Sequence, residues 1–249
     1  MDQSSPPTTG NVGIGCAVAR LEDERLLRGG GRYASDLIAT SRALRVKVLR
    51  SPHAHARILE VDATAVRTLP GVVDVLTANE LTNISDLPCD WVAPGMDVVP
   101  QHPVLARDRV RYAGEPIAGV AAETAHAAEG ALAAIMVAYE KLPAVVDQEA
   151  AIKEGAPRLH DTVPSNIAIR FHRAGDDVAR AFSRADVVIR RRFANNRVTA
   201  APLEGRAVLS DFNAGSGRLT HHTSSQLPHA HARSLGECLA LPLHKLRLV

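Results

Sequence analysis

VRYAGEPIAGVAAETAHAAEGALAAIMVAYEKLPAVVD, residues 110–147, passes from a turn through an apolar run into an alanine-rich periodic segment and out again. Gly114-Glu115-Pro116 makes a turn, and the apolar run that follows reads as a buried strand. Thr124 stands where a helix N-cap belongs, and Ala128, Ala131, Leu132 and Ile135 fall on one helical stripe. AYEKLPAVV then returns to an extended form, so the segment is strand, helix, strand.

Working outward, ILEVDATAVRTLPGVVDVLT (58–77) repeats the theme: a short strand, a short helix over 62–69, a Pro70-Gly71 turn and a second strand over 72–77. ALRVKVLR (43–50) alternates, with Leu44, Val46 and Val48 on one face and Arg45 and Lys47 on the other, as a half-buried strand does. Together these predict a compact α+β unit from about Gly31 to Asp147. Residues 82–103 hold four prolines and no period, which predicts a long irregular excursion around Trp91, the only tryptophan. Upstream, RLEDERLLRGGGRYASDL (20–37) reads as a loop punctuated by three glycines, and the Ser-, Pro- and Thr-rich opening, residues 1–19, as a flexible arm.

After residue 147 the pattern changes character. A polar connector with prolines and a glycine spans 148–164 and separates a first domain, 20–147, from a second region, 165–249. In the latter, DDVARAFSRA (176–185) predicts a short helix and DVVIRRRFANNRV (186–198) a strand with one wet face. GRAVLSDF and GRLTHHTSS predict two strands joined by a turn at 213–217. PHAHARSLGECLALP (228–242) predicts a helix with Pro228 in its first turn and Ala232, Leu235 and Leu239 on its apolar stripe. HKLRLV begins another strand, and a domain rarely ends halfway along one. The expectation is therefore a front part of a longer polypeptide, or one half of a split subunit.

Composition narrows the function. The chain has 249 residues, 46% hydrophobic and 22% charged, with a net charge of +2, which is globular and carries no strong field. Nucleic acid is a poor partner on that balance, and with 3% aromatics there are few rings to stack on bases. No apolar run is long enough for a membrane span and the N-terminus lacks a signal-peptide pattern, so the default compartment is the cytoplasm. Cys16, Cys89 and Cys238 are too scattered for a disulfide framework or an iron–sulfur cluster.

Local motifs name no reaction. The two His-Ala-His tripeptides, 53–55 and 229–231, invite a metal, but spacing by two converges only on a strand, and the second pair falls in a helix. His221 and His222 face opposite ways on a strand. GGGR at 29–32 lacks the spacing of a phosphate loop, and Ser183, Ser210, Ser224 and Ser225 lack a nucleophile-elbow context. Glu115 and Glu204 read as structural or solvated acids at turns or strand ends.

Whole segments say more. RLEDERLLRGGGRYASDL, the run 48–81 with RSPHAHARI and LPGVV, and the run 103–147 with VRYAGEP and LPAVVD together resemble the N-terminal hammerhead-like domain of the molybdopterin-binding large subunits of the xanthine dehydrogenase, aldehyde oxidase and carbon monoxide dehydrogenase family. The likeness continues through LHDTVPSNIA, the run 194–212 and LTHHTSSQLPHAHARSLGECLALP. It implies a hammerhead-like α+β domain followed by the first part of a molybdenum-cofactor-binding α+β domain. In the family the S-S/T-Q-x-P-H phrase opens the cofactor region, and its glutamine, here Gln226, approaches an oxo ligand of molybdenum. An amide can donate a hydrogen bond there without adding charge; apart from the family, Gln226 could equally be capping the helix that begins at Pro228.

The resemblance further implies a molybdenum–molybdopterin cofactor, in a dinucleotide form, and hydroxylation of a substrate carbon with water-derived oxygen, or oxidation of carbon monoxide. It implies partner subunits carrying iron–sulfur clusters and FAD, besides the remainder of the large subunit and a small-molecule substrate. The family's GGGFG loop and base glutamate would lie beyond Val249, so no catalytic residue is expected in this chain. LEGR at 203–206 departs from the family's more usual LEPR. The rival expectation is a truncated or standalone docking module without catalysis.

Overall fold

The structure is a computed structural model that describes residues 14, 20–37, 43–89, 92–96, 98–163, 165–173, 175 and 177–249. Cys16, Trp91 and most of the N-terminal arm lie outside them. Among the described residues, three three-stranded sheets make the framework. The first, in spatial order β1 (Arg45–Arg50), β5 (Pro116–Ala122), β3 (Val72–Thr77), is antiparallel throughout. The second sets β2 (Ala56–Asp62) between β4 (Arg109–Val110) and β6 (Met136–Lys141), also antiparallel.

β5 belongs to both cores. Ala118 and Val120 pack with Val66, Val75, Ala131 and Ile135, whereas Ile117 joins Ala56, Ala106 and Val110 of the second cluster. The helix expected after β5 is α2 (Ala125–Ala134), and Thr124 caps it by accepting the Ala127 N–H at 3.1 Å. Its Ala128 and Ala131 are buried, as is Ile135 just past its end, so the predicted stripe is the one that faces the sheet. Gly71 sits at φ +78°, and its carbonyl takes the Glu123 N–H at 2.9 Å, which ties the turn before β3 to the start of α2.

Several expectations change. The glycine segment is preceded by a one-turn helix, α1 (Asp23–Leu27). The predicted helix over 62–69 contracts to a 3-10 turn, Val66–Thr68. β1 is present, but its alternating apolar face looks outward: Val46 is 66% and Val48 37% exposed, and Leu49 is the residue that meets the core. Cross-strand register puts Val46 and Val48 beside Ala121 and Gly119, the solvent side of β5. Finally, DVVIRRRFANNRV forms no strand. A strand needs a neighbour for its N–H and C=O groups, and none of the three sheets pairs with it. Its Val187, Ile189 and Phe193 are 75 to 87% exposed.

The third sheet holds the second region. α3 (Gln148–Ala151) and α4 (Val178–Ser183) lead to the hairpin β7 (Val208–Asn213) and β8 (Arg218–Thr223), and β9 (Leu246–Leu248) then pairs parallel to β8. Between β8 and β9 lies α5 (Pro228–Cys238). It stops well before Pro242 because Ala240 turns to φ +50°, letting Leu241 N–H reach Gly236 O at 2.8 Å and Ala240 N–H reach Glu237 O at 3.2 Å. That pair of reversed bonds is the Schellman arrangement, here without its usual glycine.

Candidate functional site

Gln226 is placed by the tight passage from β8 into α5. The loop Ser224-Ser225-Gln226-Leu227 carries the chain round, with Leu227 N–H donating to Ser225 Oγ at 3.3 Å. Gln226 itself is exposed. α5 begins with Pro228, no side chain caps it, and the N–H groups of His229 and Ala230 have no partner within the helix. The loop and helix end therefore offer the Gln226 amide, the Ser225 hydroxyl and free backbone donors.

Glu204 holds this loop in place. Its Oε1 accepts the Ala34 N–H at 2.8 Å, and its Oε2 accepts the Ser224 hydroxyl in a short hydrogen bond. Ala34 opens a 3-10 turn (Ala34–Leu37) in the first domain, so one carboxylate joins that domain to the residue two places before Gln226. The Ser224 hydroxyl first, and then the Ala34 N–H, hold the Glu204 carboxyl below its ordinary value. A second tie lies at the other end of α5, where Ser85 N–H donates to Cys238 O and Ser85 Oγ to Glu237 O.

The remaining candidates separate. His53 meets Tyr139 edge-on at 4.8 Å, while His55 is buried with Nδ1 2.7 Å from Pro143 O, so the first His-Ala-His does not converge. Gly30 closes α1, its N–H on Arg25 O and its carbonyl taking Arg25 Nη1, which leaves no phosphate cradle. Ser183 bonds back to Arg180 O within its own turn. Among the described residues no group of three or more His, Cys, Asp or Glu side chains could hold a metal ion.

One pairing was missed. Ser210 Oγ lies 2.8 Å from His221 Nδ1 across the hairpin, and His221, 7% exposed, meets His231 of α5 with ring centroids 5.4 Å apart. Burial, and then the neighbouring His231 and His222, push His221 below its ordinary pKa and keep it neutral. Its Nε2 is buried without a partner among the described residues, and none of them orients the imidazole as a triad acid would. Hairpin register alone could have revealed this pair, since a turn at 213–217 sets residues 210 and 221 opposite each other.

The fold and the loop define a hammerhead α/β domain followed by a molybdopterin cofactor-binding domain. Residues 28–143 match the aldehyde oxidase and xanthine dehydrogenase a/b hammerhead domain, and 159–249 match the molybdopterin cofactor-binding domain. The chain belongs to the aldehyde oxidase and xanthine dehydrogenase family of molybdenum-dependent oxidoreductases. It is 38% identical over 226 residues to the nicotine 6-hydroxylase large subunit of Paenarthrobacter nicotinovorans, covering 90% of this chain and 27% of that protein. It is 30% identical to the carbon monoxide dehydrogenase large chain of Afipia carboxidovorans, covering 95% of this chain and 30% of that one. The crystal structure of quinoline 2-oxidoreductase from Pseudomonas putida 86 superimposes with a TM-score of 0.84 at 36% identity, over 94% of this chain and 30% of that one. The chain thus spans between a quarter and a third of the length of these relatives. Among the described residues no helix is long and apolar enough to cross a membrane.

Proposed function

We propose that the chain is the N-terminal part of a molybdenum hydroxylase large subunit, an oxidoreductase that hydroxylates an aldehyde, an N-heterocycle or a similar carbon, or oxidises carbon monoxide. The observation that carries this is the Ser224–Leu227 loop, clamped by Glu204 at the uncapped start of α5. Its donor set fits the group: with the Glu204 carboxylate engaged by Ala34 and Ser224, the Gln226 amide, the Ser225 hydroxyl and the free N–H groups of the helix start suit an anionic, oxygen-rich cofactor. When bound, molybdenum–molybdopterin in its dinucleotide form supplies oxygen transfer and two-electron redox chemistry.

This chain's own residues bind and orient. Gln226 would donate its amide hydrogen toward a metal oxygen, the N–H groups of His229 and Ala230 would face an anionic oxygen of the cofactor, and Glu204 would hold the loop still. No side chain here takes the substrate proton, so the base must come from elsewhere in the completed enzyme. On the same reading the first domain runs over 20–147 and the connector over 148–164, with the cofactor-binding region over 165–249. The partners are the rest of the large subunit, an iron–sulfur subunit and an FAD subunit, and the compartment is the cytoplasm.

The test is made in the completed enzyme. Replacing Gln226→Ala removes one hydrogen bond to a charged or polar oxygen, about 1–3 kcal/mol, and should slow turnover roughly 10- to 100-fold with the fold unchanged. Gln226→Glu should be worse, because a carboxylate meets an electron-rich oxygen, and should also lower the molybdenum content. Full activity and full molybdenum in both variants would remove the assignment. The isolated 249-residue chain should retain no cofactor, and stoichiometric molybdenum in it would overturn that expectation.

A further inference from the structure

Gln226 stands midway between two histidines, five residues after His221 of β8 and five before His231 of α5. The rings of those two meet with centroids 5.4 Å apart at an interplanar angle of 70°, which closes the passage from strand to helix at its base. The β8 side is fixed by its neighbours: Val249 N–H donates to His221 O at 3.0 Å, Thr223 N–H donates to Val249 O at 3.1 Å, and Ser210 Oγ lies against His221 Nδ1. The α5 side has no such support. No side chain caps the helix, and its His231 N–H reaches back only to Leu227 O, at 2.9 Å. Where a cap would hold the helix start, the imidazole contact does.

The surroundings bring no charge to this contact. Opposite His221 in the sheet lie Ser210 of β7 and Leu248 of β9, while Asp211 and Arg247 stand beside Thr220, one position along and so on the other face. His222 turns to that other face as well. On α5, His229, Arg233 and Glu237 are exposed; beyond it His244 is exposed and Lys245 donates to Ser216 O. Asp36, on the 3-10 turn beside β7, accepts the Tyr33 N–H, and Glu204 is engaged by Ser224 and Ala34. A proton on His221 would therefore create a buried cation against a second imidazole, with no carboxylate among the described residues to balance it and Nε2 unpartnered. The easiest relief is for the uncapped helix start to lift and admit water.

We infer that His221 and His231 are positioning residues for Gln226: their neutral rings clasp the start of α5 to β8, and a proton on His221 releases it while Glu204 keeps Ser224 tied. The clasp rests on the cofactor reading only for what Gln226 does. It is read in the chain without cofactor, whereas the Gln226 assignment is read in molybdenum content and turnover, so the two fail separately.

Burial first, and then His231 and His222, hold His221 below its ordinary value. Release lets it take up a proton, so protection of the helix start is fully present above about pH 6.5, that ordinary value, and is lost as pH falls through the lower folded value. Amide exchange of the 249-residue chain, corrected for the intrinsic rate, is followed at residues 231 and 232 from pH 7.5 to 5.0. Wild type should lose protection there by about threefold or more, with Ser224 and Val120 unchanged. His221→Phe keeps a ring against His231 and removes the titrating group, so its profile should be flat. His231→Phe keeps the ring and removes the neighbouring charge, so its step should remain but shrink; if His221→Phe fails to fold, this arm still decides. A flat wild-type profile, a step that survives His221→Phe, or a step of unchanged size in His231→Phe would each overturn the inference.

Discussion

Gly236→Ala should destabilise the chain, against what helix propensity expects. An alanine in place of a glycine inside a helix is worth about 1 kcal/mol of stability. In α5, however, a Cβ on Gly236 would lie 2.9 Å from the backbone oxygen of Leu241 and 3.4 Å from Leu243 Cδ2. That oxygen cannot step aside freely, because Leu241 N–H is bonded to Gly236 O at 2.8 Å and the 3-10 turn Leu243–Lys245 leads directly into β9. Forcing an extra methyl into such a contact costs about 1–3 kcal/mol, which leaves a net loss of up to about 2 kcal/mol and a fall in Tm of up to about 8 °C for a chain of this size. Gly130→Ala supplies the internal control, being in α2 with nothing within 4 Å of its would-be Cβ, and it should raise stability by about 0.5–1 kcal/mol. Urea unfolding followed by far-ultraviolet circular dichroism measures both. If Gly236→Ala stabilises as Gly130→Ala does, the closure of α5 by Leu241 is wrong.

Ile117→Ala should be among the most damaging single truncations: Ile117 is fully buried at the junction of the two first-domain sheets, and its loss should cost about 2–5 kcal/mol by the same urea titration. A cost under 1 kcal/mol would mean that β5 does not bridge the two clusters. Glu204→Ala should speed amide exchange at Ser224–Leu227 and at Ala34 while leaving Val120 protected. Because the folded Glu204 pKa is lowered, wild-type protection of that loop is fully present above about pH 4.5, the ordinary value, and is lost as pH falls through the lower folded value. Glu204→Gln should show no such acid-dependent step, and an unchanged step would assign it to another carboxylate.

Periodicity carried the first domain far because α2 is specified locally, by Thr124 and a stripe spaced at three and four. β1 shows where that stops: Leu44, Val46, Val48 alternate equally well whichever side the core lies on, and the choice falls to where β5 puts α2. The strand expected at 186–198 has the right residues but no neighbour, and pairing is a property of two segments. Gln226 was legible only through a family phrase, since an exposed glutamine carries no periodic signal. Glu204 was read as a solvated acid because its partners, Ala34 and Ser224, lie 170 and 20 residues away, beyond any local pattern.

The strand registers also set a clock for biosynthesis. Ala56 pairs with Lys141 and Arg45 with Ala122, so neither sheet of the first domain can close until its last strand has left the ribosome. At about 5–20 residues per second, the valine- and leucine-rich strands near residues 45–77 wait on the order of 2–17 s without their partners. During that interval the nascent chain presents unpaired strand edges to its surroundings, which is the window in which a chaperone would have to act.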